Sequence, residues 1–102
     1  MSQKVIIVTG TFRLPIENRE AARNAMQTMV EKSRAEAGCI LYSYAFDFLD
    51  ENLVHFIEKW DSREALQAHF AIKHMAEWRS TWPDLGVADR NANLYEAVEE
   101  SF

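Results

Sequence analysis

The stretch Glu58 to Trp78 reads EKWDSREALQAHFAIKHMAEW, and the elements it encodes decide the fold. Glu58-Lys59-Trp60 closes a strand on an aromatic. Asp61 follows as a helix N-cap, with Glu64 three residues on in capping-box position. Leu66, His69 and Phe70 are spaced to form the inner face of a short helix. A break is expected near Ala71 to Lys73, after which Met75, Trp78 and Trp82 continue the apolar spacing. Trp82-Pro83-Asp84-Leu85-Gly86 is expected to end that helix and open a loop. His69 and His74 are five residues apart, about 140° around a continuous helix. They converge only if the helix breaks between them. Two histidines and several aromatics then lie beside one sheet, so small-molecule chemistry is expected here.

Outward from this stretch the pattern is regular. Leu53 to Trp60 reads as a strand, paired as an antiparallel hairpin with Cys39 to Phe48 across the turn Leu49-Asp50-Glu51-Asn52. Lys4 to Leu14 is rich in β-branched residues and reads as the first strand, ended by Pro15. Asn18 is a candidate N-cap for a helix reaching about Ala37, with Ala22, Met26, Met29, Val30 and Ser33 on its apolar face. Gly38 is placed to terminate it. Asn91 to Val98 reads as the last strand, followed by a loose tail.

The order β-α-β-β-α-β predicts an α+β, ferredoxin-like fold with a four-stranded antiparallel sheet, spanning residues 1–102 as one domain. A sheet with one wet face should be polar at every second position. Val5 and Ile7 alternate with Ile6, Val8 and Phe12, and Ile40, Tyr42, Tyr44 and Phe46 alternate with Leu41, Ser43 and Ala45. Both faces are thus largely apolar, which predicts a homodimer packed sheet to sheet.

Composition narrows the function. The net charge is −5, with 11 basic against 16 acidic residues. No basic stripe exists to hold nucleic acid or an anionic membrane. No run approaches the roughly 20 apolar residues of a membrane span, and MSQKVIIVTGTF is too short for a signal-peptide core and continues as a strand. Cys39 is the only cysteine; it reads as a small buried apolar residue in a chain suited to a reducing cytoplasm. The three histidines, at 55, 69 and 74, show no HxH or HxxxH spacing, so no metal site is expected. No glycine-rich phosphate loop is present.

The order and its motifs resemble the antibiotic biosynthesis monooxygenase-like family of dimeric α+β barrel proteins. The residues that carry the resemblance are Ala37-Gly38-Cys39-Ile40-Leu41-Tyr42, Phe56-Ile57-Glu58-Lys59-Trp60, Ser62-Arg63-Glu64-Ala65-Leu66-Gln67-Ala68-His69 and Lys73-His74-Met75. The resemblance implies a dimeric α+β barrel and similarity to small quinol and polyketide monooxygenases that use neither metal nor bound flavin. The same superfamily includes haem-degrading members, an isomerase-like branch and members without a known reaction, and fold alone does not choose among them. The haem-degrading branch relies on an Asn in the first strand, where this chain offers Thr9 and Thr11. It also relies on a Trp and a His in the second helix, where this chain has His69 and Arg79.

Cofactor-free oxygenation needs an electron-rich phenol, quinol or enol. Loss of its proton gives an anion that can pass an electron to O2. The protein supplies a proton acceptor and a dry aromatic pocket. A histidine suits the acceptor role, because its ordinary pKa of about 6.5 leaves it mostly neutral at pH 7. The candidates are His69 and His74 as catalytic groups and Tyr44, Trp60, Phe70 and Trp78 as substrate-binding walls. His55 falls on the strand face opposite Phe56, Glu58 and Trp60, and reads as exposed or dimer-facing. Arg13 could pair an anionic substrate, though a surface salt bridge fits it as well. Glu58, if it faces inward, must be paired or protonated. The leading expectation is a homodimeric monooxygenase without cofactor, with a small aromatic or enolic substrate and O2 as partners. Its alternatives are a non-oxidative isomerase or dehydratase on the same fold, and a non-catalytic binding module.

Overall fold

The computed structural model describes residues 4–102, so the first three residues of the N-terminal stretch read above lie outside the described residues. The elements are β1 (Lys4–Arg13), a 3-10 turn (Ile16–Asn18), α1 (Arg19–Arg34), β2 (Cys39–Phe46), β3 (Leu53–Trp60), α2 (Arg63–Ala71), α3 (Lys73–Leu85) and β4 (Ala88–Val98). The strands form one four-stranded sheet in the order β2-β3-β1-β4. Each neighbouring pair is antiparallel. This is the expected ferredoxin-like α+β arrangement, with the second helix broken in two. Among the described residues no helix is long and apolar enough to cross a membrane.

Period-two alternation sorts the side chains. Ile6, Val8, Phe12, Tyr42, Val54, Phe56 and Trp60 point to the helix side and are buried with Leu66, Met75 and Trp78. Helix α1 presents Ala22, Met29 and Ser33 to the same core. Gly10 of β1 is required there. A Cβ added to it would come within 2.5 Å of the Phe56 ring and 2.1 Å of the Asn91 carbonyl oxygen.

Four local expectations are corrected. Ile40 does not share a face with Tyr42, because the β2–β3 register shifts between Cys39 and Leu41 and leaves Ile40 53% exposed. A bulge inserts one residue and inverts the alternation beyond it. Asn18 stands at the N-cap of α1 but its side chain does not cap; its amide donates instead to the Leu85 carbonyl. Helix α1 stops at Arg34 rather than near Ala37. The amides of Ala35 and Glu36 bond back to the Lys32 and Ser33 carbonyls, three residues earlier, which tightens the last turn. Gly38, with φ +83°, then turns the chain into β2.

The cap of α2 is Ser62, not Asp61: Ser62 Oγ accepts from the Ala65 amide at 3.1 Å. The Asp61 amide donates to the Gly38 carbonyl, and the helix starts one residue later. Helix α3 ends within Trp82–Gly86 as expected: it runs through Pro83 to Leu85 and is closed by Gly86 in the left-handed conformation, φ 74°. Proline in a last turn removes one helical hydrogen bond, and Gly86 accepts the reversal that follows.

Two features bound the site, the expected helix break and the early end of α1. The backbone at Ile72 is extended (φ −78°, ψ 153°), so it both ends α2 and begins α3. The early end of α1 frees Glu36 from the helix surface. Meanwhile β4 pairs only with β1 in the sheet and is exposed for almost its whole length.

Candidate functional site: two histidines on one carboxylate

The break at Ile72 brings His69, at the end of α2, and His74, at the start of α3, to a ring separation of 6.1 Å. Both donate to the same atom. His69 Nδ1 lies 2.8 Å and His74 Nε2 2.7 Å from Glu36 Oε2. His69 is wholly buried, at 0% exposure. The His74 side chain is 10% exposed and faces a groove of about 280 Å³ between α1 and α3, beside Met29 and Trp78. Ser33 Oγ sits 3.4 Å from His74 Nε2.

A carboxylate can only accept, so each imidazole must direct an N–H at Glu36. For a neutral His69 this places the proton on Nδ1 and leaves Nε2 as a bare acceptor. That Nε2 is buried without a hydrogen-bond partner. It faces Glu58 Oε1 at 3.9 Å.

Glu58 does face inward, 3% exposed. Its Oε1 accepts from Trp60 Nε1 at 3.0 Å. Burial pushes the Glu58 carboxyl above its ordinary range, and the Trp60 hydrogen bond and the nearby His69 offset this in part. Tyr42 and Tyr44 join hydroxyls at 3.2 Å. Burial raises both phenols, Tyr44 to about 12. Burial, then the negative field of Glu36, also raises the Cys39 thiol. A raised thiol stays protonated and is a poor nucleophile, in keeping with the apolar reading of Cys39.

Between sheet and helices lies a gap of about 10 Å³, lined by Phe12, Tyr42, Tyr44, Phe56, Glu58, Met75, Trp78 and Arg90. That is room for about one water molecule. Arg90 reaches it because the β1–β4 register shifts beside Arg13 and Asp89 adopts a positive φ of 54°. The guanidinium sits 5.1 Å from the centre of the Phe56 ring.

The sequence candidates therefore divide. Tyr44 and Trp78 line the gap, with rings 6.2 Å apart. Trp60 packs against His69 at 4.9 Å and anchors Glu58 rather than lining the gap. Phe70 lies on the outer side of α2, 42% exposed, 5.9 Å from the His69 ring; it is not on the inner helix face expected for it. His55 is on the outer sheet face and bonds Asp47 at 2.8 Å. Arg13 pairs with Asp50 at the surface. Glu36 and Arg90 were not among the sequence candidates. Glu36 falls in what reads as the last wet turn of α1, and only its distance to His69 and His74 marks it.

Residues 5–81 match the family described as antibiotic biosynthesis monooxygenase. The chain belongs to that family. An uncharacterized protein from Synechocystis is 33% identical over 94 residues, 92% of this chain, and the match spans 64% of that relative's length. Among solved structures, a candidate antibiotic biosynthesis monooxygenase from Deinococcus radiodurans superposes with a TM-score of 0.88 at 26% identity, covering 95% of this chain and 96% of the other. A conserved protein of unknown function from Bacteroides thetaiotaomicron, described as a possible oxidoreductase, gives 0.81 at 25% identity, covering 93% and 99%.

Proposed function

We propose that the chain is a cofactor-independent monooxygenase that oxidises a small phenol, quinol or enol with O2. The observation that carries this reading is the bare Nε2 of His69, held in a dry aromatic core by the Nδ1–H bond to Glu36. A base whose partner fixes the tautomer is aimed before substrate arrives. In this account His69 Nε2 takes the hydroxyl proton and the substrate becomes an anion. The anion gives one electron to O2. The resulting radical pair joins as a C–O bond, the peroxide anion takes the proton back from His69, and loss of water from the hydroperoxide leaves a carbonyl. One oxygen atom enters the product and the other leaves as water.

The remaining groups have roles that follow from their places. Tyr44, Phe56 and Trp78 would hold the ring. Arg90 is the cation at the edge of the gap and would steady the developing oxyanion. The gap is too small for a phenol as it stands. Met75, with its flexible thioether, and the exposed β4 side are the walls that would give way. Glu36, shared with His74 beside the α1–α3 groove, holds the His69 ring in place while Nε2 takes and returns the proton.

A second reading rests on Glu58. A carboxyl pushed up by burial, 3.9 Å from a bare imidazole nitrogen, forms an acid–base pair suited to moving a proton between two carbons of a carbonyl compound. Oxygen uptake with a panel of quinols, naphthols and enols separates the two. The oxygenase reading predicts uptake that falls on the order of 100-fold or more in His69→Gln. Substrate turnover with no O2 consumed moves the assignment to the isomerase reading. Uptake equal in His69→Gln and the unaltered protein overturns the role of His69.

A further inference from the structure

The geometry points to a second use for the same group of side chains: Glu36, His69 and His74 form a binding site for a divalent first-row transition ion, Zn²⁺ above all. The ligand atoms come from three separate segments and lie within 4.8 Å of one another. Two imidazoles and one carboxylate are a known zinc ligand set, with a fourth position left to solvent. Zinc takes N and O ligands at about 2.0–2.2 Å, so its ligand atoms stand a little over 3 Å apart. The two contacts to Glu36 Oε2, at 2.7 and 2.8 Å, would need to open by about half an ångström, and the two imidazole nitrogens, within 4.8 Å of each other, would need to draw together. His74 stands at the edge of the α1–α3 groove, which gives an ion and its water a way in.

An independent observation concerns the far side of His69. Its Nε2 is fully buried and has no hydrogen-bond partner. A metal on Nδ1 forces the neutral imidazole proton to Nε2, which then becomes a donor. The acceptor is already in place: Glu58 Oε1, 3.9 Å away and itself held by Trp60. A carboxylate behind a metal-bound histidine is the usual supporting arrangement in such sites. The bonds to Glu36 alone leave His69 Nε2 without a partner; the metal-bound form supplies one. Metal occupancy also removes the bare nitrogen on which the proposed oxygenase depends, so a bound ion would silence that activity. The site itself does not depend on that reading.

The test is a titration of chelator-treated protein with Co²⁺, whose visible absorption is intense when four-coordinate, followed by displacement with Zn²⁺. One equivalent of such a signal, lost on adding one equivalent of Zn²⁺, is the expected result. Affinity should fall at least tenfold in Glu36→Gln and in His74→Ala, and by about 10- to 100-fold in Glu58→Gln, which touches no metal. His55→Ala, altering the other histidine–carboxylate pair, should change nothing. Circular dichroism on each variant verifies that it folds. Absence of the four-coordinate signal, equal affinity in Glu36→Gln and His74→Ala, or loss of binding in His55→Ala would overturn the site. The readout is binding, so it stands or falls apart from any oxygen chemistry.

Discussion

Glu58 shows what a single buried residue contributes. Its carboxyl is raised above the ordinary 4.5, with burial the largest cause. Below 4.5 the group is protonated in both folded and unfolded chains and contributes no pH dependence. Between 4.5 and the raised folded value the native state holds the proton and the unfolded chain has lost it. Stability therefore falls as pH rises through that window, and the deficit persists above it. Asp47 and Asp50 are shifted the other way, chiefly by hydrogen bonds from His55 and from the Asn52 amide, so their contributions vanish only as pH falls below the ordinary 3.8. The two windows do not overlap. Glu58→Gln should consequently gain stability relative to the unaltered protein as pH rises above about 4.5. Denaturant midpoints at a series of pH values, with chelator present, measure the difference. A difference that stays flat with pH would mean that Glu58 is not the strained acid described here.

At the scale of elements, the break at Ile72 matters most, because without it His69 and His74 could not reach one carboxylate. Lys73 is the first residue of α3, where an amide has no helical partner and proline is favoured. The residue before a proline prefers extended backbone, which Ile72 already has. Lys73→Pro should therefore stabilise the protein by roughly 0.4–1 kcal/mol by restricting the unfolded chain. The exposed Lys73–Glu77 pair it removes is worth little. Thermal or denaturant unfolding checks this, and a loss of stability would contradict the break. Much at this scale was legible in the sequence. Alternation in Ile6, Val8 and Phe12, and in Val54, Phe56, Glu58 and Trp60, marks the strands because a pleated strand has a period of two. The position of the helix break, between Ala71 and Lys73, was legible for the same kind of reason. The partner of the histidines was not. Glu36 is 33 residues from His69, and an acidic residue near a helix end looks like surface until the early stop at Arg34 turns it inward. The bulge at Ile40 and the register shift that aims Arg90 are likewise settled by pairing between strands, which no local pattern records.

At the scale of the molecule, the sheet face away from the helices carries Ile7, Leu41, Ile57 and Tyr95 beside Thr9, Ser43 and Asn93. Leu41, Ile57 and Tyr95 are all exposed. The apolar half of this face is the basis for proposing a homodimer packed sheet to sheet, since a contiguous apolar surface on a single chain favours association. Light scattering during size exclusion should report the mass of two chains, and Ile57→Lys, placed near the middle of that face, should shift it toward one. A single-chain mass for the unaltered protein at micromolar concentration would rule the pairing out.

The central claim is that Glu36 holds His69 with its proton on Nδ1 and a bare Nε2 turned toward Glu58. Long-range proton–nitrogen NMR on histidine-labelled, metal-free protein reads this directly, at a pH well above the ordinary histidine range of about 6.5. The account predicts a protonated Nδ1 and a lone-pair Nε2 for His69, with the pattern reversing on addition of Zn²⁺. A proton on Nε2 in the metal-free protein would contradict it.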